Sequence, residues 1–193
     1  YIIIYLIVMK WFYCQKETFV PINNINPYRG TYYLGFSKID LPTPDKDGND
    51  MKFLLVRHDA PLHLDLIKPI LLDLIKQYDK SDEINCVYIG EDKTWFDKDA
   101  RSDLINSLKI KKEAGKTETT LWYTTNGELK SVVMSIDKCL EFFYRLGLYA
   151  DATFNTTQIH IKNVLAIDNL DELMNYNITE NYPEYVKLTT KTE

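Results

Sequence analysis

The chain has 193 residues, enough for one well-packed domain or two small ones. With 45% hydrophobic and 26% charged residues it has the composition of an ordinary globular protein, which argues against disorder and against a membrane-spanning bundle. Lys and Arg number 23 against 28 Asp and Glu, a net charge of -5 with no basic block, so generic nucleic-acid binding is disfavoured.

The first eight residues, Tyr-Ile-Ile-Ile-Tyr-Leu-Ile-Val, precede Met9 and Lys10. The apolar run falls short of the roughly 20 residues of a spanning helix, and it lacks the basic start and small-residue cleavage site of a signal peptide. It reads either as a buried strand or as an upstream extension of a reading frame that starts at Met9. Residues 9–58 read as β-rich, with strands around Trp11-Phe12-Tyr13, Thr31 to Phe36 and Met51 to Val56. Leu41 to Asp50, with two prolines and an Asp-Gly step, reads as a loop between strands.

Residues 60–79 switch to helical period, with Leu64, Ile67, Leu71, Leu74, Ile75 and Tyr78 on one face and Pro69 expected to kink the helix or delay its start. The polar stretch Asp79 to Glu83 reads as a linker. It divides the chain into a β-rich N-terminal part with one helix, residues 1–78, and a C-terminal domain, residues 79–193.

In the C-terminal part a hairpin is expected over Val87-Tyr88-Ile89 and Thr94-Trp95-Phe96, then a helix from about Lys98 to Lys112 with Asp97 as N-cap. A second hairpin pairs Leu121-Trp122-Tyr123 with Ser131 to Met134 around Asn126-Gly127. Ser135 then caps a long helix. Its apolar positions Ile136, Leu140, Phe143, Gly147, Ala150 and Phe154, continued by Ile161 and Val164, follow an alternating four-three spacing broken at Thr157. Such a seam serves either as core against the domain's own sheet or as an oligomer contact. Asn169 to Glu172 reads as the cap of one more short helix. The expected class is α+β, a β-rich N-terminal part followed by a hairpin-helix-hairpin-long helix domain.

Motifs for chemistry fail one by one. Gly115-Lys116-Thr117 lacks the earlier glycine of a phosphate loop and follows a helix, so a helix C-cap explains it better. Asp45 to Asp50 lacks the glycine and glutamate of a calcium loop at the required positions. Ser135-x-x-Lys138 stands without the companion elements of a penicillin-binding site. His58, His63 and His160 are read as surface or loop residues, and Asp59 or Asp65 beside the first two gives only a weak metal motif. Cys14, Cys86 and Cys139 are odd in number and sit in apolar runs, which suits packing. No catalytic residue, cofactor or metal is expected.

The segments Tyr78 to Asn85, Lys93 to Arg101, Ala114 to Trp122, Leu146 to Ala150 and Asn175 to Glu184 together resemble an uncharacterised domain family of bacteriophage proteins. That family is common in crAss-like and other phages of gut Bacteroides-type hosts and in tail-fibre-associated phage proteins. The resemblance spans about residues 75–188 and rests on Trp95, Asp97, Arg101, the Gly-Lys-Thr turn, Trp122 and the closing Tyr-Pro-Glu. It implies a phage setting, made in the host cytoplasm and carried in the virion. The family has no established activity, so the expected role rests on the resemblance together with the lack of a catalytic constellation and an aromatic content of 13%: an appendage, fibre-base or connector component, or alternatively an assembly chaperone not retained in the particle. Expected partners are other virion proteins and copies of the same chain around a symmetry axis, with no nucleic acid and no membrane. Trp95 and Trp122 are expected as core anchors, and Arg101 as the ion-pair partner of Asp97.

Overall fold

A computed structural model describes residues 10–19, 22–26, 31–58 and 63–189; the reading of residues 1–8, and of Asp59, falls outside them. The fold is α+β and divides into two compact units. Unit 1 holds residues 1–79 and 156–181, and unit 2 holds residues 80–155 and 182–193.

Unit 1 is built on an antiparallel sheet of β1 (Trp11–Cys14), β2 (Ile22–Asn26), β3 (Thr31–Asp40) and β4 (Met51–His58), in the order β1-β4-β3-β2. Leu34 faces Val56 and Phe36 faces Leu54 across the ladder, and all four are buried on one side. Alternation is interrupted between Phe36 and Ile39 by a bulge. There Ser37 takes φ +53°, turns inward, and accepts a hydrogen bond through Oγ from the Ile178 amide at 3.1 Å. A bulge thus aims one polar side chain at a backbone donor that would otherwise be buried unpaired. On the opposite side Gly35 is needed for space, since a Cβ there would lie 2.8 Å from the Phe19 ring, which packs edge-on against Phe53.

The sheet of unit 1 is joined by α1 (Leu64–Asp79), the end of α3 (Ile136–Ala166) and α4 (Leu170–Asn175). Ile67, Ile70, Leu71, Leu74, Ile75 and Tyr78 form the buried stripe of α1, while Pro69 lies inside the helix on its exposed side. Lys68 donates to the Leu165 carbonyl at 2.9 Å, placing a cation at the C-terminal end of α3, where free carbonyls gather.

In unit 2, β5 (Val87–Ile89) and β6 (Asp92–Thr94) form a hairpin, with β9 (Lys187–Leu188) parallel to β5 on its other side. Asp97 caps α2 (Lys98–Glu113), its Oδ1 accepting from the Ala100 amide at 2.8 Å. Gly115, at φ +75°, closes the same helix: its amide donates to Lys112 O and that of Lys116 to Lys111 O. Gly-Lys-Thr is therefore a helix C-cap. The hairpin of β7 (Glu118–Thr125) and β8 (Glu128–Ser135) turns at Asn126-Gly127, both at positive φ as the tight primed turn requires. Ser135 Oγ then accepts from the Lys138 amide at the start of α3.

The core of unit 2 centres on Phe96, Phe142 and Phe143, whose rings meet edge to face at centroid distances of 5.2 to 6.3 Å. Around them lie Leu121, Tyr123, Met134, Leu140 and Leu146. Tyr149 donates to the Ile84 carbonyl at 2.6 Å and Tyr185 to that of Glu83 at 2.8 Å, tying two aromatic side chains to one turn.

The division corrects the expected split into residues 1–78 and 79–193, because residues 156–181 belong to unit 1. The helix α3 is unbroken, and no loop marks the residue at which its neighbours change. Strands β2 and β9 were not expected. β2 reads Ile-Asn-Asn-Ile-Asn, whose asparagines have poor strand preference, and β9 has only two residues.

Phe143 has no exposed surface, and Phe143→Ala should destabilise unit 2 by about 3–5 kcal/mol through lost burial and the cavity left behind. Urea unfolding followed by near-UV circular dichroism checks this; a loss below about 1 kcal/mol would mean the aromatic trio is not the organising contact.

Candidate functional site

Unit 1 carries a cleft of about 480 Å3 walled by α3, α4 and the segment after α4. Its deepest polar group is His160, which is 4% exposed. Nε2 lies 2.9 Å from the Glu180 carbonyl and Nδ1 lies 2.7 Å from the Tyr176 hydroxyl. A carbonyl only accepts, so Nε2 carries the proton and donates to it, and Nδ1 accepts from the Tyr176 O–H. The two rings also meet edge to face at 5.6 Å. Burial lowers the His160 pKa, against the opposing pull of Glu180, so the ring is neutral near pH 7. Burial raises the Tyr176 pKa, partly offset by a hydrogen bond from Asn163.

The outer wall of the cleft carries Asn163, Glu172, Asn177 and Glu180, with no Lys or Arg among the lining residues. Asn177 is committed locally: its Oδ1 accepts from the Thr179 amide and hydroxyl, and its Nδ2 donates to Glu180 Oε1 at 3.2 Å. Two carboxylates with no lining cation disfavour an anionic ligand. His160 thus has both ring nitrogens engaged within the unit. It ties α3 to the segment beyond α4.

His160 was expected on the surface or in a loop; it is a buried helical residue, and this is a correction. The readable signal was its place three residues after Thr157 and four before Val164, on one helical stripe. Thr157 is likewise buried and donates to Asp79 Oδ1 at 2.8 Å. His63 is exposed and lies 3.5 Å from Asp65, while the side chain of His58 falls outside the described residues.

The expected seam follows the inner face of α3 only at first. Ile136, Leu140 and Phe143 are buried, Ala150 is half-buried, but Gly147 and Phe154 face outward, Phe154 with 55% exposure. The buried stripe runs instead through Leu146, Tyr149, Thr153, Thr157, His160 and Val164. At about 100° per residue Phe154 lies about five full turns beyond Ile136 and so on the same side of the helix, whereas Leu146, Tyr149, Thr153, Thr157, His160 and Val164 lie roughly 60–140° round from it; the core face is offset from the seam and takes in Ile136 only at its edge.

Trp95 is half-buried, packs edge-on against Tyr149, and carries the Arg101 guanidinium at 5.3 Å from its ring centroid. Arg101 also donates to the Phe96 carbonyl at 3.1 Å, while Asp97 is used as the cap of α2. The expected ion pair is replaced by these two roles; burial is the main influence lowering the Arg101 pKa, with Asp97 opposing it through space. Trp122 is 58% exposed, which corrects its assignment as a core anchor. Along β7, Thr119, Leu121, Tyr123 and Thr125 point inward, and period two leaves Trp122 on the outside.

Elsewhere the chemistry-bearing residues are occupied structurally. The Asp45 carboxylate accepts from the Asp47 and Asn49 amides and from Asn49 Nδ2, closing its own loop and lowering its pKa. Burial raises all three cysteine thiols, Cys139 to about 11, which keeps them protonated. Among the described residues there is no group of three or more His, Cys, Asp or Glu placed to hold a metal ion, and no helix long and apolar enough to cross a membrane.

The fold is thus an α+β pair of units, and the buried histidine of the unit 1 cleft has both its nitrogens satisfied within that unit. No family model, no curated protein and no solved structure matches the chain.

The depressed pKa of His160 has a definite sign. The unfolded imidazole titrates near ~6.5, so its contribution to stability is complete above that pH, declines as pH falls towards the lower folded pKa, and levels off below it. His160→Gln should therefore flatten the fall in melting temperature between about pH 7.5 and about pH 5, although it lowers the melting temperature at the upper end. Parallel profiles for the two proteins would show that the ring does not titrate with folding. Trp122→Ala should change stability by no more than about 0.5 kcal/mol, measurable by the same melts.

Proposed function

We propose that the chain is a structural protein of a bacteriophage particle, an appendage, fibre-base or connector component. It works by contact with other virion proteins and with copies of itself around a symmetry axis. The phage setting rests on the resemblance of residues 75–188. The contact role rests on one observation: large apolar side chains stand in solvent on unit 2, with Trp122, Leu129 and Val133 on the hairpin and Tyr144, Leu148 and Phe154 on α3. A Trp presented outward on a regular strand, beside further apolar residues, has the composition of an interface core. The reading gives the chain no reaction of its own.

Mass spectrometry of purified particles tests this. The expected result is the chain at a symmetric copy number, a multiple of the order of one particle axis. Absence from particles together with presence in infected cells would replace this reading by that of an assembly chaperone.

A further inference from the structure

The hairpin of unit 2 has one covered edge and one open edge. On the β7 side, β6 packs alongside, and Thr94 Oγ1 donates to the Thr124 carbonyl at 2.8 Å. On the other side β8 has no strand neighbour among the described residues; the sheet ends with it. The amide of Ile136 donates to Thr117 O, and the pairing continues through Thr119↔Met134, Leu121↔Val132, Tyr123↔Lys130 and Thr125↔Glu128. In an antiparallel ladder every second residue bonds across. The N–H and C=O groups of Leu129, Ser131 and Val133 therefore point to the open edge.

These same residues carry their side chains on the solvent face, Leu129 at 69% and Val133 at 65% exposure. Trp122, opposite Ser131, stands between them on the neighbouring strand. Unprotected edges are normally blunted by a proline, a bulge or an outward charge. β8 has neither a proline nor a break in its register, and its one lysine, Lys130, turns to the other side, where it donates to Asp92 Oδ1 at 2.6 Å.

We propose that β8 pairs antiparallel with β8 of a second copy of this chain, about a two-fold axis through Ser131, joining two hairpins into a four-stranded sheet. This deepens the proposed function by naming the self-contact surface, and it rests on that reading for its biological setting.

The register is set by the residues themselves. With Ser131 facing Ser131, Leu129 falls opposite Val133 of the second copy and Val133 opposite its Leu129, so apolar meets apolar on the solvent face. On the other face Lys130 meets Val132 and Glu128 meets Met134, so no like charges oppose each other. Outward-pointing backbone groups coincide in the same register and supply about six hydrogen bonds. The outer face of α3 fits self-contact less well, since Glu141, Arg145 and Asp151 interrupt its apolar residues. A single strand pair buries less than the roughly 1,200 Å2 of a stable complex, so the dimer is weak in solution and is strengthened where copies are held side by side.

The test uses the full chain. Sedimentation over about 1 μM to about 1 mM should give a mass rising from monomer towards dimer. Ser131→Lys puts two cations face to face on the axis and should weaken association by on the order of tenfold or more, with an unchanged circular dichroism spectrum. In separate proteins, Ser131→Cys should be joined to itself by a short thiol cross-linker, whereas Ser135→Cys should not, because its two copies lie about eight residues apart along the ladder, about 27 Å. A monomer throughout the range, or a Ser131→Lys protein that associates like the native chain, would overturn the pairing. So would equal cross-linking at both positions. These results are independent of the particle measurement: a β8 dimer absent from particles keeps the pairing and removes the virion reading, and a virion protein that stays monomeric does the reverse.

Discussion

An α-helix turns by about 100° per residue, and α3, with 31 residues, has to keep one stripe of its surface out of water along its length. Much of the fold follows from how that stripe is covered. Within residues 136–155 it is mostly apolar, and Phe142, Phe143 and Leu146 belong to the buried cluster that also holds Leu108 of α2 and Leu121, Tyr123 and Met134 of the hairpin. Within residues 156–166 it contains Thr157 and His160, which need hydrogen-bond partners once buried. Asp79 serves the first, and Tyr176 with the Glu180 carbonyl serves the second. The polar members of the stripe thus fix where the end of α1 and the segment after α4 must lie within unit 1.

Local chemistry was legible wherever a short motif has one backbone solution. Asn126-Gly127 set a primed turn, Asp97 and Asn169 set helix starts, and Gly115 set a helix end, because each satisfies backbone groups or a positive φ that few other residues serve as well. The helical face of α1 was equally clear, since its apolar residues keep period through Pro69. The α+β class follows from these pieces.

What the sequence did not disclose depends on partners far away in the chain. Choosing only apolar positions for the seam of α3 favoured Gly147 and Phe154 over Thr153 and His160, yet His160 finds its hydrogen-bond partners in Tyr176 and Glu180, 16 and 20 residues further on. The break at Thr157 was visible, and it falls beside the point where α3 passes from one unit to the other, but a polar residue on a helix does not say which unit will satisfy it. Trp122 was misplaced by a different route. Size and hydrophobicity argue for burial, but on a strand the alternating face decides, and Thr119, Leu121 and Tyr123 had already claimed the inside.

The two departures from a simple inside-outside pattern therefore carry different meanings. A buried His160 breaks the rule that polar groups stay wet, but its donor and acceptor are both matched within the unit, so the departure is resolved inside the molecule. Outward Trp122, Leu129 and Val133 break the converse rule, and nothing within the described residues resolves it. The same strand that displays two of these side chains also displays unpaired backbone groups, so apolar surface and hydrogen-bonding capacity are offered along one line. A small molecule would not need both over the length of a strand. Another strand does, and the proposed pairing of β8 with its own copy meets that need with apolar residues opposite apolar ones and no like charges opposed.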